Sequence, residues 1–123
     1  MKTVVLGATT NPARYAFAAA ERLHHAGLDF ELVGIKKGEL FGKDIQDLRD
    51  HPEIADVHTV TLYLGPVNQK QWYNYILMLN PRRVIFNPGT ENPELAGMLQ
   101  EQGIGYEYAC TLTLLSVGNY FTQ

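Results

Sequence analysis

The stretch VVLGATTNPARYA, residues 4–16, runs from strand formers into Gly7, then small and hydroxyl side chains, then Asn11-Pro12 and an alanine-rich run. A strand that enters a helix through such a loop leaves backbone N–H groups unpaired at the helix N-terminus, where they attract anions. Gly7 and Ala8 supply the turn, and Thr9, Thr10 and Asn11 add hydroxyl and amide donors. Arg14, in the expected first helical turn, is placed to clamp a phosphate. An arginine there opposes the helix dipole, which favours an anion over a merely solvated residue. Gly7 also fits a plain strand-ending turn. The dinucleotide fingerprint G-x-G-x-x-G is incomplete, because Thr9 and Pro12 stand at its second and third glycine positions.

Lys36-Lys37 follows the second expected strand. A plain NAD site places an acidic residue near this point for the ribose hydroxyls. Two cations suit a ribose that carries its own phosphate, as in NADP or coenzyme A, while Glu39 nearby can still serve a plain ribose. Catalytic constellations are scarce. His24 and His25 are adjacent on a helix and diverge by about 100°; His51 and His58 stand apart without a cysteine or carboxylate cluster, so no metal site is expected. The single cysteine, Cys110, excludes an intrachain disulfide and reads as a small buried residue without a partner base.

The elements that position these residues alternate. Strands are expected at 3–6, 30–35, 57–64, 83–86 and 106–108. The first helix has Asn11 as cap and Pro12 at its first position, buries Ala16, Ala19, Ala20 and Leu23, and stops at Gly27. KKGELFGKDI reads as loop with a short extended piece, and Asp47 to Asp50 as one helical turn broken at His51-Pro52. Gly65-Pro66 opens a helix whose core face is Trp72, Tyr75, Ile76 and Leu79. Asn92-Pro93 opens another, with Leu95, Met98 and Leu99 inward and Gly103 as its stop. The tail TLTLLSVGNYF fits either strand or helix. This order implies an α/β fold, a Rossmann-like, three-layer, doubly wound sheet that is mostly parallel and five-stranded. Ligands bind such sheets beyond the carboxyl ends of the strands. The loops Gly7–Asn11, Ile35–Gly38, Leu64–Val67 and Asn87–Glu91 should therefore converge on one cleft. Tyr73 should point away from Trp72, as an exposed contact for another copy or a protein partner.

The chain has 123 residues, a formal net charge of −3 and no long basic run. One domain over residues 1–123 is expected, and binding to nucleic acid through counterion release is disfavoured. The N-terminus enters a strand without a signal-peptide apolar region, and no segment has the length and apolarity of a membrane span, so a cytoplasmic protein without membrane contact is expected.

The succession GATTNPARYA, VGIKKGELFG, Gly65-Pro66 at a strand exit, VIFNPGTENPEL and a short strand before Cys110 resembles the small stand-alone CoA-binding proteins, similar to the CoA-binding domain of succinyl-CoA synthetase. The resemblance covers nearly the whole chain. It implies that Gly7-Ala8-Thr9 hold the CoA diphosphate and that Lys36 or Lys37 meets the ribose phosphate. The pantetheine arm would run past Gly65-Pro66-Val67 and Asn87-Pro88-Gly89. Two basic residues of the family pattern are missing: Gly65 stands where arginine is common before proline, and Ala109 stands in place of the arginine before Cys110. The synthetases' phosphorylated histidine and further domains have no counterpart, so a non-catalytic regulatory or carrier role with CoA or a short acyl-CoA is expected. The alternatives are an NADP-type nucleotide-binding protein and an interaction module with a vestigial cleft.

Overall fold

The computed structural model describes residues 1–121. Seven strands form one sheet: β1 (Lys2–Leu6), β2 (Phe30–Gly34), β3 (Glu39–Leu40), β4 (Lys43–Asp47), β5 (Val57–Leu62), β6 (Arg83–Phe86) and β7 (Gly105–Tyr108). Their spatial order is β3-β4-β2-β1-β5-β6-β7, and every pairing except β3 with β4 is parallel. The chain moves outward from β1 through β2 to β4, then returns to β5 on the other side of β1. The topological switch therefore lies between β1 and β5, where two exit loops diverge and leave a crevice.

The helices are α1 (Tyr15–His25), α2 (Pro66–Gln69), α3 (Tyr73–Leu79), α4 (Pro93–Glu101) and α5 (Thr111–Ser116). Alternate residues of a strand face opposite sides, so neighbours in β1 serve different cores. Val4 and Leu6 join Val60, Leu62, Val84 and Phe86 against Ile76, Leu79, Leu95 and Leu99 of α3 and α4. Val5 joins Leu32 and Ile85 against Ala16, Ala20 and Leu23 of α1, with Leu114 and Leu115 of α5 packed beside them. This is the expected three-layer architecture.

The sheet has seven strands rather than five because KKGELFGKDI folds as a hairpin. Glu39 pairs with Asp44 and Leu40 with Lys43, around a two-residue turn in which Phe41 and Gly42 both have positive φ, 53° and 81°. Such turns usually carry Asn-Gly or Asp-Gly; Phe-Gly hides the signal. β4 then adds in parallel to β2.

One helix start departs from the expectation, and the tail takes one of its two open alternatives. Helix α1 begins at Tyr15 rather than at Pro12. Asn11 caps only the preceding turn, its Oδ1 accepting the Ala13 N–H at 3.0 Å. Along α4 the buried positions are Leu95, Ala96 and Leu99, with Met98 half-buried. The tail resolves as helix over Thr111–Ser116, anchored by buried Thr111, whose Oγ1 lies 2.7 Å from Thr61 Oγ1. Asn92 and Pro93 act as foreseen, with Asn92 accepting the Leu95 N–H and Pro93 in the first turn.

The end of β2 approaches the β1 exit loop so closely that only glycine fits: a Cβ on Gly34 would lie 2.5 Å from the Ala8 carbonyl oxygen. Replacement Gly34→Ala is expected to destabilise the protein by roughly 1–3 kcal/mol through forced backbone displacement. Urea unfolding of the variant against the parent chain checks this.

Candidate functional site

The four loops do converge. A cavity of about 610 Å³ opens at the carboxyl ends of the strands, at the switch between β1 and β5. Of the residues singled out from the sequence, Gly7, Ala8, Thr9, Asn11, Arg14, Lys36, Gly65, Pro88 and Gly89 line it. Thr10, Lys37, Pro66, Val67 and Asn87 lie outside the lining. Thr10 packs its methyl group over Gly38, and Lys37 exerts its charge on Asp47. Tyr15, Ile35, Tyr63, Leu64, Asn68 and Thr90 also border the cavity.

The β1 exit loop is built by one carbonyl. The Gly7 and Ala8 N–H groups both donate to Val33 O, at 2.8 and 3.0 Å. Gly7 can turn there because its φ is +101°, and a Cβ would press on the Tyr63 backbone at 3.1 Å. These two N–H groups are therefore engaged by β2 and are not free for an anion. The Asn11 N–H donates to Thr9 Oγ1, and the Arg14 N–H to Asn11 O. The Phe17 and Ala18 N–H groups donate to Arg14 O, so the remaining donors at the turn are the N–H groups of Thr9, Thr10, Tyr15 and Ala16, and the N-cap residue Arg14 provides no side-chain cap. Arg14 and Lys36 are both exposed on the lining, which contains no aspartate or glutamate.

The opposite wall is held by buried amides: Gln69, which the sequence does not single out, and Asn87 and Asn92, which it marks for other roles. Gln69 is fully buried, and its Nε2 donates to Leu64 O and to Thr90 O, both at 2.8 Å. Its Oε1 accepts from Asn92 Nδ2 at 2.8 Å. One side chain thus ties the loop after β5 to the loop after β6. Asn87 is buried too. Its Nδ2 donates to Thr61 Oγ1 and Leu62 O, and its Oδ1 accepts the Thr111 N–H. It braces the wall from behind. Tyr73, expected to project outward, is half-buried, and its hydroxyl accepts from Asn92 Nδ2 and donates to Glu94 Oε1. The only sequence signal for this network is the placement of Gln69 and Asn92 beside the Gly65-Pro66 and Asn92-Pro93 helix starts.

Tyr63 borders the cavity, and burial pushes its phenol up to about 12, against the lowering effect of hydrogen bonds with Thr61 and Thr111. Cys110 is half-buried rather than fully buried. Burial works to raise its pKa, but hydrogen bonds from the Thr113 side chain and from the Thr113 and Leu112 backbone outweigh it, and the net shift is downward. Among the described residues no cluster of three histidine, cysteine or carboxylate side chains is placed to hold a metal ion, and no helix is long and apolar enough to cross a membrane.

A mostly parallel sheet with helices on both faces and a crevice at its switch point defines a Rossmann-like α/β fold. The chain belongs to the CoA binding domain family, which matches residues 1–116. It is similar to a crystal structure of an uncharacterized protein at 55% identity and TM-score 0.92, over 96% of each chain. A second similar structure, cell-free ID.343 from Thermus thermophilus, has 26% identity and TM-score 0.80 over 96% of this chain and 89% of that one. The PH1109 protein redesigned for binding shares the fold, at 20% identity and TM-score 0.81 over 99% of this chain and 85% of that one. Comparison with curated proteins finds no match.

Two outcomes follow from this geometry. Gln69→Leu strands two carbonyl groups and an amide in a buried position, at a cost of roughly 1–3 kcal/mol for each unpaired group. The expected result is a lower urea midpoint together with faster amide exchange across residues 87–92. For Cys110, the alkylation rate should reach half its maximum at a lower pH than for free cysteine, since the thiolate forms earlier when the pKa is lowered. Thr113→Val should move that midpoint upward. Iodoacetamide kinetics against pH measure both.

Proposed function

We propose that this protein binds CoA or a short acyl-CoA in the cavity at the β1/β5 switch and performs no chemistry on it. The observation that carries this is the lining itself. Arg14 and Lys36 face it without an opposing carboxylate, in a chain whose net charge is −3. A family whose ligand carries several phosphate charges fits that concentration of positive charge. The diphosphate would rest on the N–H groups of Thr9, Tyr15 and Ala16, with Arg14 closing over it. Lys36 would meet the ribose phosphate. The pantetheine arm would pass between Leu64, Gly65 and Asn68 on one side and Pro88, Gly89 and Thr90 on the other. That path departs from the expected one, because Pro66, Val67 and Asn87 lie outside the lining.

The lining residues include no histidine, cysteine, aspartate or glutamate, so they offer donors and cations but no general base. That composition supports a carrier or regulatory role. Thr9 and Pro12, at two glycine positions of the dinucleotide fingerprint, weigh against NADP.

Calorimetric titration with CoA, acetyl-CoA, NADP and NAD at low salt tests the assignment. Saturable binding of CoA and acetyl-CoA is expected, with little heat from the nicotinamide cofactors. Arg14→Ala and Lys36→Glu should each weaken CoA roughly ten-fold or more, the scale of a charge-assisted hydrogen bond. Preference for NADP, or indifference to both substitutions, contradicts the proposal.

A further inference from the structure

The amino end of the sheet, opposite the cavity, carries a second cluster of charged and aromatic side chains. His58 and Thr59 stand near the start of β5, Arg83 begins β6, and Tyr120 and Phe121 of the tail lie across them. Arg83 holds the tail. Its Nη1 donates to Tyr120 O at 2.8 Å, and its guanidinium lies over the Tyr120 and Phe121 rings at 4.8 and 5.7 Å. The Tyr120 hydroxyl lies 3.0 Å from Thr3 Oγ1, and Phe121 meets the His58 ring edge-on at 5.2 Å. With Leu28 and Leu115, the two tail rings wall a second cavity of about 380 Å³.

Donor counting fixes the charge state that closes this cluster. Thr59 is fully buried, and its Oγ1 accepts from Arg83 Nε at 3.2 Å. Its own hydroxyl proton is then left for His58 Nδ1, 2.8 Å away, which accepts only while that nitrogen carries no proton. A proton on Nδ1 would strand the Thr59 hydroxyl in the interior. It would also set a second cation beside Arg83, whose Nη2 is buried with no hydrogen-bond partner among the described residues. The charges that act on His58 are Arg83 and Arg82 of β6 and the amino group of Met1, all positive. Glu107 of β7 faces Arg83 at 3.7 Å, and Lys2 donates to Ala55 O. Burial first, and these cations after it, hold His58 below the ordinary histidine value.

We infer that residues 117–121 form a latch that neutral His58 holds shut and that protonation of His58 releases, uncovering the apolar face between α1 and α5. Opening relieves both the burial of His58 and its crowding by cations, so the open state takes up a proton more readily and acid favours it. The stabilisation from the closed latch is complete above 6.5, the free-histidine value, and is lost as pH falls toward the lower value of the closed state.

Ring and amide NMR of the full chain between about pH 8 and 5 tests the latch, together with the variants His58→Asn, Phe121→Ala and Glu107→Gln. In the parent chain the Tyr120 and Phe121 rings should shift with the same midpoint as His58, below 6.5. The Asn119 N–H donates to Leu114 O at 2.9 Å, and its exchange protection, corrected for intrinsic rate, should fall by up to about ten-fold per pH unit below 6.5. Val60 in β5 should keep its protection. His58→Asn should abolish the acid response, and Glu107→Gln should preserve it. By reciprocal linkage, Phe121→Ala should raise the His58 midpoint toward 6.5. Tail rings indifferent to the titration of His58, or an unmoved His58 midpoint in Phe121→Ala, overturn the latch. So does a response that survives His58→Asn or vanishes in Glu107→Gln, or an equal loss of protection at Val60.

Discussion

The carbonyl of Val33 accepts two N–H groups, those of Gly7 and Ala8, and this convergence fixes how β1 leaves the sheet. A single acceptor with two lone pairs can satisfy both donors only if the chain turns sharply, which Gly7 permits. It also requires β2 to come within contact of Ala8, which the missing Cβ of Gly34 permits. With those two donors consumed by the fold, and the Phe17 and Ala18 N–H groups taken by Arg14 O, the donors left at the turn are those of Thr9, Thr10, Tyr15 and Ala16. The unpaired N–H groups of the turn are thereby shifted from the glycine toward the helix start.

The opposite wall meets a different demand. Loops at a switch point diverge, and their backbone carbonyls are exposed to burial without a ladder partner. Gln69 solves this by reaching both Leu64 O and Thr90 O from one buried amide, itself held by Asn92. Asn87 performs the equivalent service between β5, β6 and α5. The cavity is thus bounded by one wall set by backbone geometry and another set by side-chain amides. Cationic side chains stand free on its surface rather than in its frame.

Much of this was legible in the sequence, for identifiable reasons. Glycine and proline at Gly7, Gly65-Pro66 and Asn92-Pro93 mark strand exits and helix starts, and alternation of elements fixes the topology that brings four loops together. The hairpin of β3 and β4 was not legible, because Phe41 occupies a left-handed position where asparagine or glycine would have announced the turn. The start of α1 is not marked in the sequence, because Asn11-Pro12 forms a capped turn of its own before the helix. The amide network was hidden because Gln69, Asn87 and Asn92 have surface-type composition, and only tertiary packing buries them. Asn87 in particular reads as a ligand contact from its loop position, whereas its hydrogen bonds are all internal.

The central claim is that CoA occupies the β1/β5 switch and is held by donors beyond Gly7 and Ala8. Amide chemical-shift mapping of labelled protein during addition of CoA tests it most directly. The claim predicts saturable shifts centred on Thr9, Tyr15, Ala16, Lys36 and Gly89, with β7 undisturbed. Shifts confined to another surface, or none at saturating CoA, would contradict it.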